Sequence, residues 1–144
     1  FNDKERTTAL LSLCSMLNLL LPDAQPNEKI YKSFDNLINS INLKNWIILY
    51  IFFELNLIKD LGYDPNLNKY KDEIKDDQIK KIKIDDIIYE IPNFLISRTV
   101  TEEISKVLIK KSLYFTRNVI QNKFFIPNNL IFPRSRILLE TYFN

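Results

Sequence analysis

Apolar residues between Asp3 and Leu21 recur at positions i, i+3, i+4 and i+7. This spacing predicts a helix that buries one broad face. Asn2 or Asp3 can cap its N-terminus, and Pro22 should end it because proline has no backbone N–H to donate. Cys14 falls on the apolar side of this helix, so we expect a small buried residue there instead of a reactive thiol.

Two more helices are predicted before the only glycine of the chain. Residues 22–26 form a short connection that favours antiparallel packing of its neighbours, and Asn27 can cap a helix over 28–41. A third helix, from about 43 to 61, is apolar at nearly every position, which is typical of a central helix contacted from several sides. Gly62 stands where such a helix ends on a residue with positive φ.

The chain becomes polar and rich in mixed charges over residues 66–90. Isoleucines on either side of Asp85-Asp86 predict two short strands, either as a weak hairpin or as an excursion on the surface. The pairs Asp72/Asp76 and Asp85/Asp86 suggest a cation site, but the glycine turn of a calcium loop is absent. We therefore interpret these carboxylates as solvated charges.

Helical spacing returns in the last third of the chain. Thr99 and Glu102 have the spacing of a capping box, which predicts a long helix to about Ile120. Its expected core residues are Ile104, Leu108, Phe115 and Val119, with Val107 and Leu113 at the edges. A loop with two adjacent phenylalanines follows, and Pro133 suits position N1 of a last helix over 134–142.

These elements predict a mainly α, irregular helical domain of about five helices, occupying residues 1–144 as a single domain. A short β-hairpin or polar excursion would separate the third helix from the fourth. The most apolar run, Trp46–Phe53, has eight residues. A membrane helix needs about 20, so we expect a soluble protein with no membrane partner.

The composition excludes most catalytic sites. The 144 residues include no histidine, one cysteine and one glycine. Without histidine there is no Ser-His-Asp triad and no His-containing zinc site. One cysteine permits no Cys₄ zinc ribbon, and one glycine permits no P-loop. We therefore expect a protein that is not an enzyme, has no cofactor and acts by binding.

Glu54 is an acidic residue inside the apolar third helix. We interpret it as a side chain that points to a gap or pairs with a lysine. A functional buried carboxylate is the alternative. A carboxylate-dependent enzyme would require Glu54, Asp60 or Asp64 to line a pocket with a perturbed pKa.

Charge is distributed unevenly along the chain. Residues 1–92 have 12 basic and 15 acidic side chains, a net −3, whereas residues 93–144 have 8 basic and 3 acidic side chains, a net +5. The C-terminal part interleaves its cations with aromatic residues, a pattern suited to the phosphates and bases of single strands or to an acidic peptide with a hydrophobic end. A solvated helix face is the alternative. The candidate binding residues are Lys106, Lys110, Lys111, Arg117, Lys123, Arg134 and Arg136.

Several segments carry a resemblance to a known family. Residues 9–22 read as a leucine-rich helix that ends in Leu-Leu-Pro, and a proline-containing turn follows. Residues 53–63 contain the more specific Phe-Glu-Leu…Leu-Gly-Tyr pattern. In that order, these segments resemble the helical C-terminal domain of the bacterial recombination mediator RecO. Residues 111–117 and 133–136 are similar to the last two helices of that family.

The resemblance implies a DNA-repair factor without catalytic activity. RecO proteins help to load recombinase onto DNA coated by single-strand-binding protein, and they anneal complementary strands. They work with RecR and bind the acidic-aromatic C-terminal tail of single-strand-binding protein. The resemblance thus implies single-stranded DNA, that tail and RecR as partners, and a cytoplasmic, nucleoid-associated location.

The sequence also departs from the family pattern. Many RecO proteins carry a cysteine-rich zinc module after the Leu-Gly-Tyr turn, but residues 66–90 contain no cysteine, so we predict no zinc. The N-terminal OB-fold of the family would precede Phe1, which makes the sequence look like a piece of a longer protein. The alternative is a generic helical protein-interaction module without a nucleic-acid role.

Overall fold

A computed structural model of the protein describes residues 3–21, 27–75, 78–100 and 102–144. Along the chain its elements are α1 (Lys4–Leu20), α2 (Glu28–Asn39), α3 (Trp46–Asp60), a 3-10 helix (Leu67–Glu73), β1 (Ile79–Ile84), β2 (Ile87–Pro92), α4 (Asn93–Ser97), α5 (Lys106–Ile120), a π-helical turn (Gln121–Phe125), a 3-10 turn (Ile126–Asn128) and α6 (Arg134–Thr141). The mainly α fold with one hairpin after the third helix is confirmed. The described part has six α-helices instead of about five, because the short α4 precedes the long helix.

The predicted caps of the first two helices are present. The Asp3 carboxylate accepts the backbone N–H of Glu5 at 3.0 Å, and the Asn27 side chain accepts that of Ile30 at 3.2 Å. Cys14 is exposed, so the prediction of a buried cysteine is wrong. The buried face of α1 lies along Ala9, Leu13 and Met16, and the residue after Leu13 is turned about 100° away from it. Asn2, the connection 22–26 and Asp76 lie outside the described residues.

Helix α3 is the central element, as its sequence predicts. Ten of its residues are buried, and it packs against α2 and α5. Gly62 has φ +107°, and its N–H donates to the Lys59 carbonyl at 3.0 Å. The Tyr63 N–H donates to the Ile58 carbonyl at 3.1 Å. These two bonds form a Schellman motif, which confirms the helix end assigned to the glycine.

The strands β1 and β2 form an antiparallel hairpin in which Ile84 pairs with Ile87. Asp85 and Asp86 have φ of 52° and 67°, which matches the type I′ turn that joins two-residue hairpins. The hairpin also contributes to the core. Tyr89 is buried, and its ring centroid lies 5.0 Å from that of Phe115 on α5. The segment is therefore more than an excursion on the surface.

The predicted capping box at Thr99 is wrong. Arg98, with φ 59°, ends α4, and the Thr99 N–H donates to the Ser97 hydroxyl at 3.3 Å. Helix α5 begins only at Lys106, where the Ser105 hydroxyl accepts the N–H of Leu108 at 3.3 Å. Within α5 the predicted core residues Leu108, Phe115 and Val119 are buried. Ile104 precedes the helix and is partly buried, and Leu113 is fully buried instead of lying at the edge.

The stretch after α5 is helical instead of a loop. The π-helical turn continues α5 and buries Phe125, whose ring centroid lies 5.0 Å from that of Phe132. Pro133 occupies the N-cap position of α6 instead of N1, with an extended backbone. Helix α6 packs along α1, which brings the C-terminal end of the described chain onto its first helix.

Candidate nucleic-acid interface

The outer side of α5 aligns two lysines, a tyrosine and an arginine. Lys106 and Lys110 are exposed and lie four residues apart, which places them on one face of the helix. Tyr114 follows one turn later and is 47% exposed. The Arg117 guanidinium lies 5.4 Å from the centroid of the Tyr114 ring. We call these four residues the α5 stripe.

The two lysines of the α5 stripe differ from the other cations of this helix. In the part of the chain that the structure describes, neither Lys106 nor Lys110 has an ion-pair partner, and Lys110 Nζ contacts the side-chain amide oxygen of Asn144. Arg117 Nε, in contrast, lies 2.5 Å from Glu140 Oε1. No carboxylate of the described residues therefore competes with an anionic ligand for these two lysines.

Two other candidate residues form ion pairs between the helical part of the fold and the hairpin. Lys111 Nζ lies 2.9 Å from Glu90 Oε2 on β2, and this hydrogen bond lowers the pKa of the Glu90 carboxyl. Lys123 Nζ lies 2.6 Å from Asp85 Oδ2 and 4.5 Å from the centroid of the Tyr63 ring. The hydrogen bond to Asp85 raises the pKa of the Lys123 ammonium. Both cations are already paired with carboxylates. Arg134 is exposed at the start of α6, on a different helix from the α5 stripe.

Arg136 is fully buried, which removes it from the exposed candidates. Its Nε lies 2.6 Å from Glu54 Oε2, and its Nη2 lies 2.9 Å from Glu54 Oε1. Its remaining donors reach Glu140 Oε1 at 3.1 Å and the Leu113 carbonyl at 2.9 Å. The guanidinium therefore contacts protein groups and offers no surface to a phosphate.

The Arg136 guanidinium belongs to a buried polar network that joins four helices. Tyr50 donates to Glu54 Oε2 at 2.9 Å, and Thr116 donates to Glu54 Oε1 at 2.7 Å. The Ser12 and Tyr50 hydroxyls are 2.7 Å apart. Burial, and then the charge of Glu54, raise the pKa of the Tyr50 phenol. Burial is the largest single effect and disfavours the charge on Arg136, but the attraction of Glu54, Tyr50 and Glu140 together with the hydrogen bonds to Glu54 outweighs it and raises the pKa of the guanidinium.

Glu54 thus pairs with an arginine. It neither points to a gap nor pairs with a lysine, which were the two expectations from the sequence. No buried side-chain nitrogen or oxygen among the described residues lacks a hydrogen-bond partner, so the hydrogen bonds of the network are satisfied within the protein. Sequence reasoning missed this pair, although a signal existed. Arg136 shares a helical spacing with the buried residues Leu139, Glu140 and Phe143, which places it on the apolar side of α6.

The described residues form neither the cation site that the acidic pairs suggest nor a membrane-spanning helix. Within residues 3–21, 27–75, 78–100 and 102–144, no three His, Cys, Asp or Glu side chains are grouped so that they could hold a metal ion. Asp85 pairs with Lys123, which accounts for one of the candidate cation ligands. Among the same residues, no helix combines the length and apolar character needed to cross a membrane.

Comparison with protein families tests the resemblance to RecO that residues 9–22 and 53–63 carry. The model of the family described as Recombination protein O C terminal matches residues 2–76, just over half of the chain. The chain belongs to the RecO C-terminal family. The matched residues include α1 to α3 and the Gly62 turn, whereas the hairpin and the α5 stripe follow the match.

Three curated relatives are named DNA repair protein RecO. The protein from Ehrlichia chaffeensis is 33% identical over 69 residues, which cover 46% of this chain and 28% of the relative. The protein from Wolbachia pipientis subsp. Culex pipiens is 32% identical over 71 residues, covering 48% and 29%. That from Cereibacter sphaeroides is 23% identical over 69 residues, covering 48% and 29%. The matched part of this chain therefore covers less than a third of the length of these relatives. No solved structure matches it.

Proposed function

We propose that residues 1–144 form the helical domain of a RecO-type recombination mediator that acts in DNA repair by binding single-stranded DNA, and not as an enzyme. Membership of the RecO C-terminal family supports a role in repair. The observation that carries the DNA contact is the α5 stripe, where two lysines that pair with no carboxylate of the described residues align with an exposed tyrosine.

The stripe has the chemistry that a single strand requires. Ammonium groups bind backbone phosphates, and an exposed aromatic ring stacks on a base. Lys106 and Lys110 would take phosphates, and Tyr114 would stack. Arg134 would extend the positive surface. Lys111 and Lys123 contribute less in this proposal, because binding DNA would compete with their carboxylate partners.

The wider role of the proposed domain follows the family. It would help to load recombinase onto single-stranded DNA and to anneal strands, together with RecR, in the cytoplasm at the nucleoid. The acidic-aromatic tail of single-strand-binding protein would bind the same kind of surface, since its carboxylates suit the lysines and its ring suits an apolar neighbour. Val107, 61% exposed, is such a neighbour on α5.

Fluorescence anisotropy with labelled oligothymidine tests the DNA contact. We expect Lys106→Gln/Lys110→Gln to weaken binding and to reduce the slope of log affinity against log salt by about 1.4, since each phosphate contact on a single strand contributes about 0.7. Tyr114→Ala should weaken binding about tenfold through lost stacking. The control Lys32→Gln/Lys44→Gln removes the same charge from two exposed lysines elsewhere on the chain.

The same assay with a labelled acidic-aromatic peptide separates the two ligands. Binding of DNA that responds equally to both lysine pairs would mean attraction by overall charge and would contradict the assigned surface. If neither the oligonucleotide nor the peptide binds at low salt, the functional proposal is wrong.

A further inference from the structure

A cavity of about 410 Å³ lies where the C-terminal half of α3, the 3-10 helix and the end of α4 meet. Leu55, Leu67 and Leu95 line it with buried apolar side chains. Leu67 lies on the 3-10 helix that follows the Gly62 turn. The apolar floor therefore combines one leucine from each of the three elements.

Two walls of the cavity each contribute one asparagine and one lysine. Helix α3 contributes Asn56 and Lys59, which are three residues apart and lie on one face. The 3-10 helix contributes Asn68 and Lys71, also three residues apart, and a 3-10 helix brings such positions into line. Each wall therefore presents one amide and one ammonium group.

Arg98 contributes a third cation from the end of α4. Its Nη1 donates to Asn56 Oδ1 at 3.3 Å, and its guanidinium lies 5.4 Å from the centroid of the Phe52 ring. Its φ of 59° is a conformation that glycine or asparagine usually supplies at a helix end. A long cationic side chain therefore stands where helix termination alone favours a small residue.

The cavity has an excess of positive charge. Among the residues that line it are three cations, Lys59, Lys71 and Arg98, and a single carboxylate, Asp64. Asp64 Oδ1 accepts the backbone N–H of Asn66 at 2.8 Å and so fixes the turn before the 3-10 helix. In the described ranges no ion pair involves any of the three cations.

We propose that this cavity binds a nucleotide unit through its phosphate. The cations would hold the phosphate by charge-assisted hydrogen bonds, and the asparagine amides would bond to the base or sugar over the apolar floor. The volume lies in the range of small-molecule sites, about 300–1,000 Å³. None of the residues that carry this proposal belongs to the α5 stripe, so the site does not depend on the proposed function.

Nuclear magnetic resonance titration of the whole 144-residue chain tests the site. The probes are thymidine monophosphate, oligothymidine of six nucleotides and inorganic phosphate. We expect amide shifts at Lys59, Asn68 and Arg98, and at least tenfold weaker binding in Lys59→Gln/Lys71→Gln. The control Lys32→Gln/Lys69→Gln removes two exposed lysines outside the cavity, one of them on the same 3-10 helix, and should change binding less than twofold.

The three probes identify the source of the phosphate. Binding of the monophosphate supports a free nucleotide, and shifts with the oligonucleotide alone support one unit of a strand. Inorganic phosphate binding as tightly as both would overturn the nucleotide assignment. Absent shifts, or equal losses in the two double variants, would overturn the site. Lys106→Gln/Lys110→Gln should leave the shifts with thymidine monophosphate unchanged, which separates this test from that of the α5 stripe.

Arg98→Gly distinguishes a binding role from a structural one. Glycine adopts a φ of 59° without a Cβ clash, so the variant should melt close to the parent and bind the nucleotide probes at least fivefold more weakly. Unchanged binding in this variant would show that Arg98 does not contact the ligand and would overturn the proposed arrangement.

Discussion

Replacing Arg136 with methionine isolates the energetic role of the buried network. The side chains of Arg136 and Glu54 are both fully buried and are joined by hydrogen bonds of 2.6 and 2.9 Å. Methionine fills much of the arginine volume but donates no hydrogen bond. Glu54 then keeps only the hydroxyls of Tyr50 and Thr116, and no cation remains bonded to its charge.

The expected loss of stability is large. Removing one partner of a buried ion pair costs about 3–5 kcal/mol, because the other charge is left in a medium of low dielectric constant. For a domain of this size each kcal/mol lowers the melting temperature by about 3 °C, so we expect a fall of about 10–15 °C. The control Lys111→Met breaks the exposed pair with Glu90 and should leave the melting temperature nearly unchanged, since water screens that pair.

Thermal and urea unfolding followed by circular dichroism measure both variants. A second substitution then tests the cause. In Glu54→Leu/Arg136→Met no charge is left unpaired, because Glu140 keeps its ion pair with Arg117. The Tyr50 hydroxyl still bonds to Ser12, and Thr116 still bonds to the Ser112 carbonyl. The double variant should therefore be more stable than Arg136→Met alone. The single variant Glu54→Leu completes the comparison. A melting temperature of Arg136→Met within about 3 °C of the parent would refute this reasoning, and so would a double variant that loses as much stability as Arg136→Met and Glu54→Leu added together.

Two further predictions concern a helix start and the response to alkali. Ser105→Ala should lower the free energy of unfolding by about 1 kcal/mol in urea titrations, because it removes the side-chain cap of α5, while Thr99→Ala should have little effect. A larger loss of unfolding free energy in Thr99→Ala than in Ser105→Ala would contradict the cap at Ser105 and support a capping box at Thr99. The raised pKa of the buried Tyr50 means that the folded state holds its proton more tightly than the unfolded state. Stability should therefore fall as pH rises above about 10, and Tyr50→Phe should fall less steeply, whereas parallel curves would contradict this contribution.

The sequence was informative wherever a few neighbouring residues decide the structure. The apolar spacing of α1 to α3, the caps at Asp3 and Asn27, and the glycine that ends α3 all depend on interactions within a turn or two of helix. The same holds for the hairpin, whose turn at Asp85-Asp86 is visible between two isoleucine-rich strands. These features were predicted because they need no knowledge of distant contacts.

One error lies at the start of α5. The capping-box spacing of Thr99 and Glu102 predicted the start there, but the residue whose hydroxyl caps the helix is Ser105. The structure chooses Ser105, since α4 ends in a left-handed residue and the segment before Lys106 is not helical. Cys14 was also misplaced, because one position along a helix decides which side faces the core.

The candidate binding surface was also predictable only in part from the sequence. The sequence by itself determined that the C-terminal part is basic and that Lys106, Lys110 and Tyr114 share a helix face. Only the tertiary structure decided which cations stay available, because ion pairing and burial depend on residues far apart in the chain. Arg136 meets Glu54 across 82 positions and is lost from the surface, whereas Lys59, Lys71 and Arg98 are brought to one cavity. Charge is a property of the residue, but its exposure and its partners are properties of the fold.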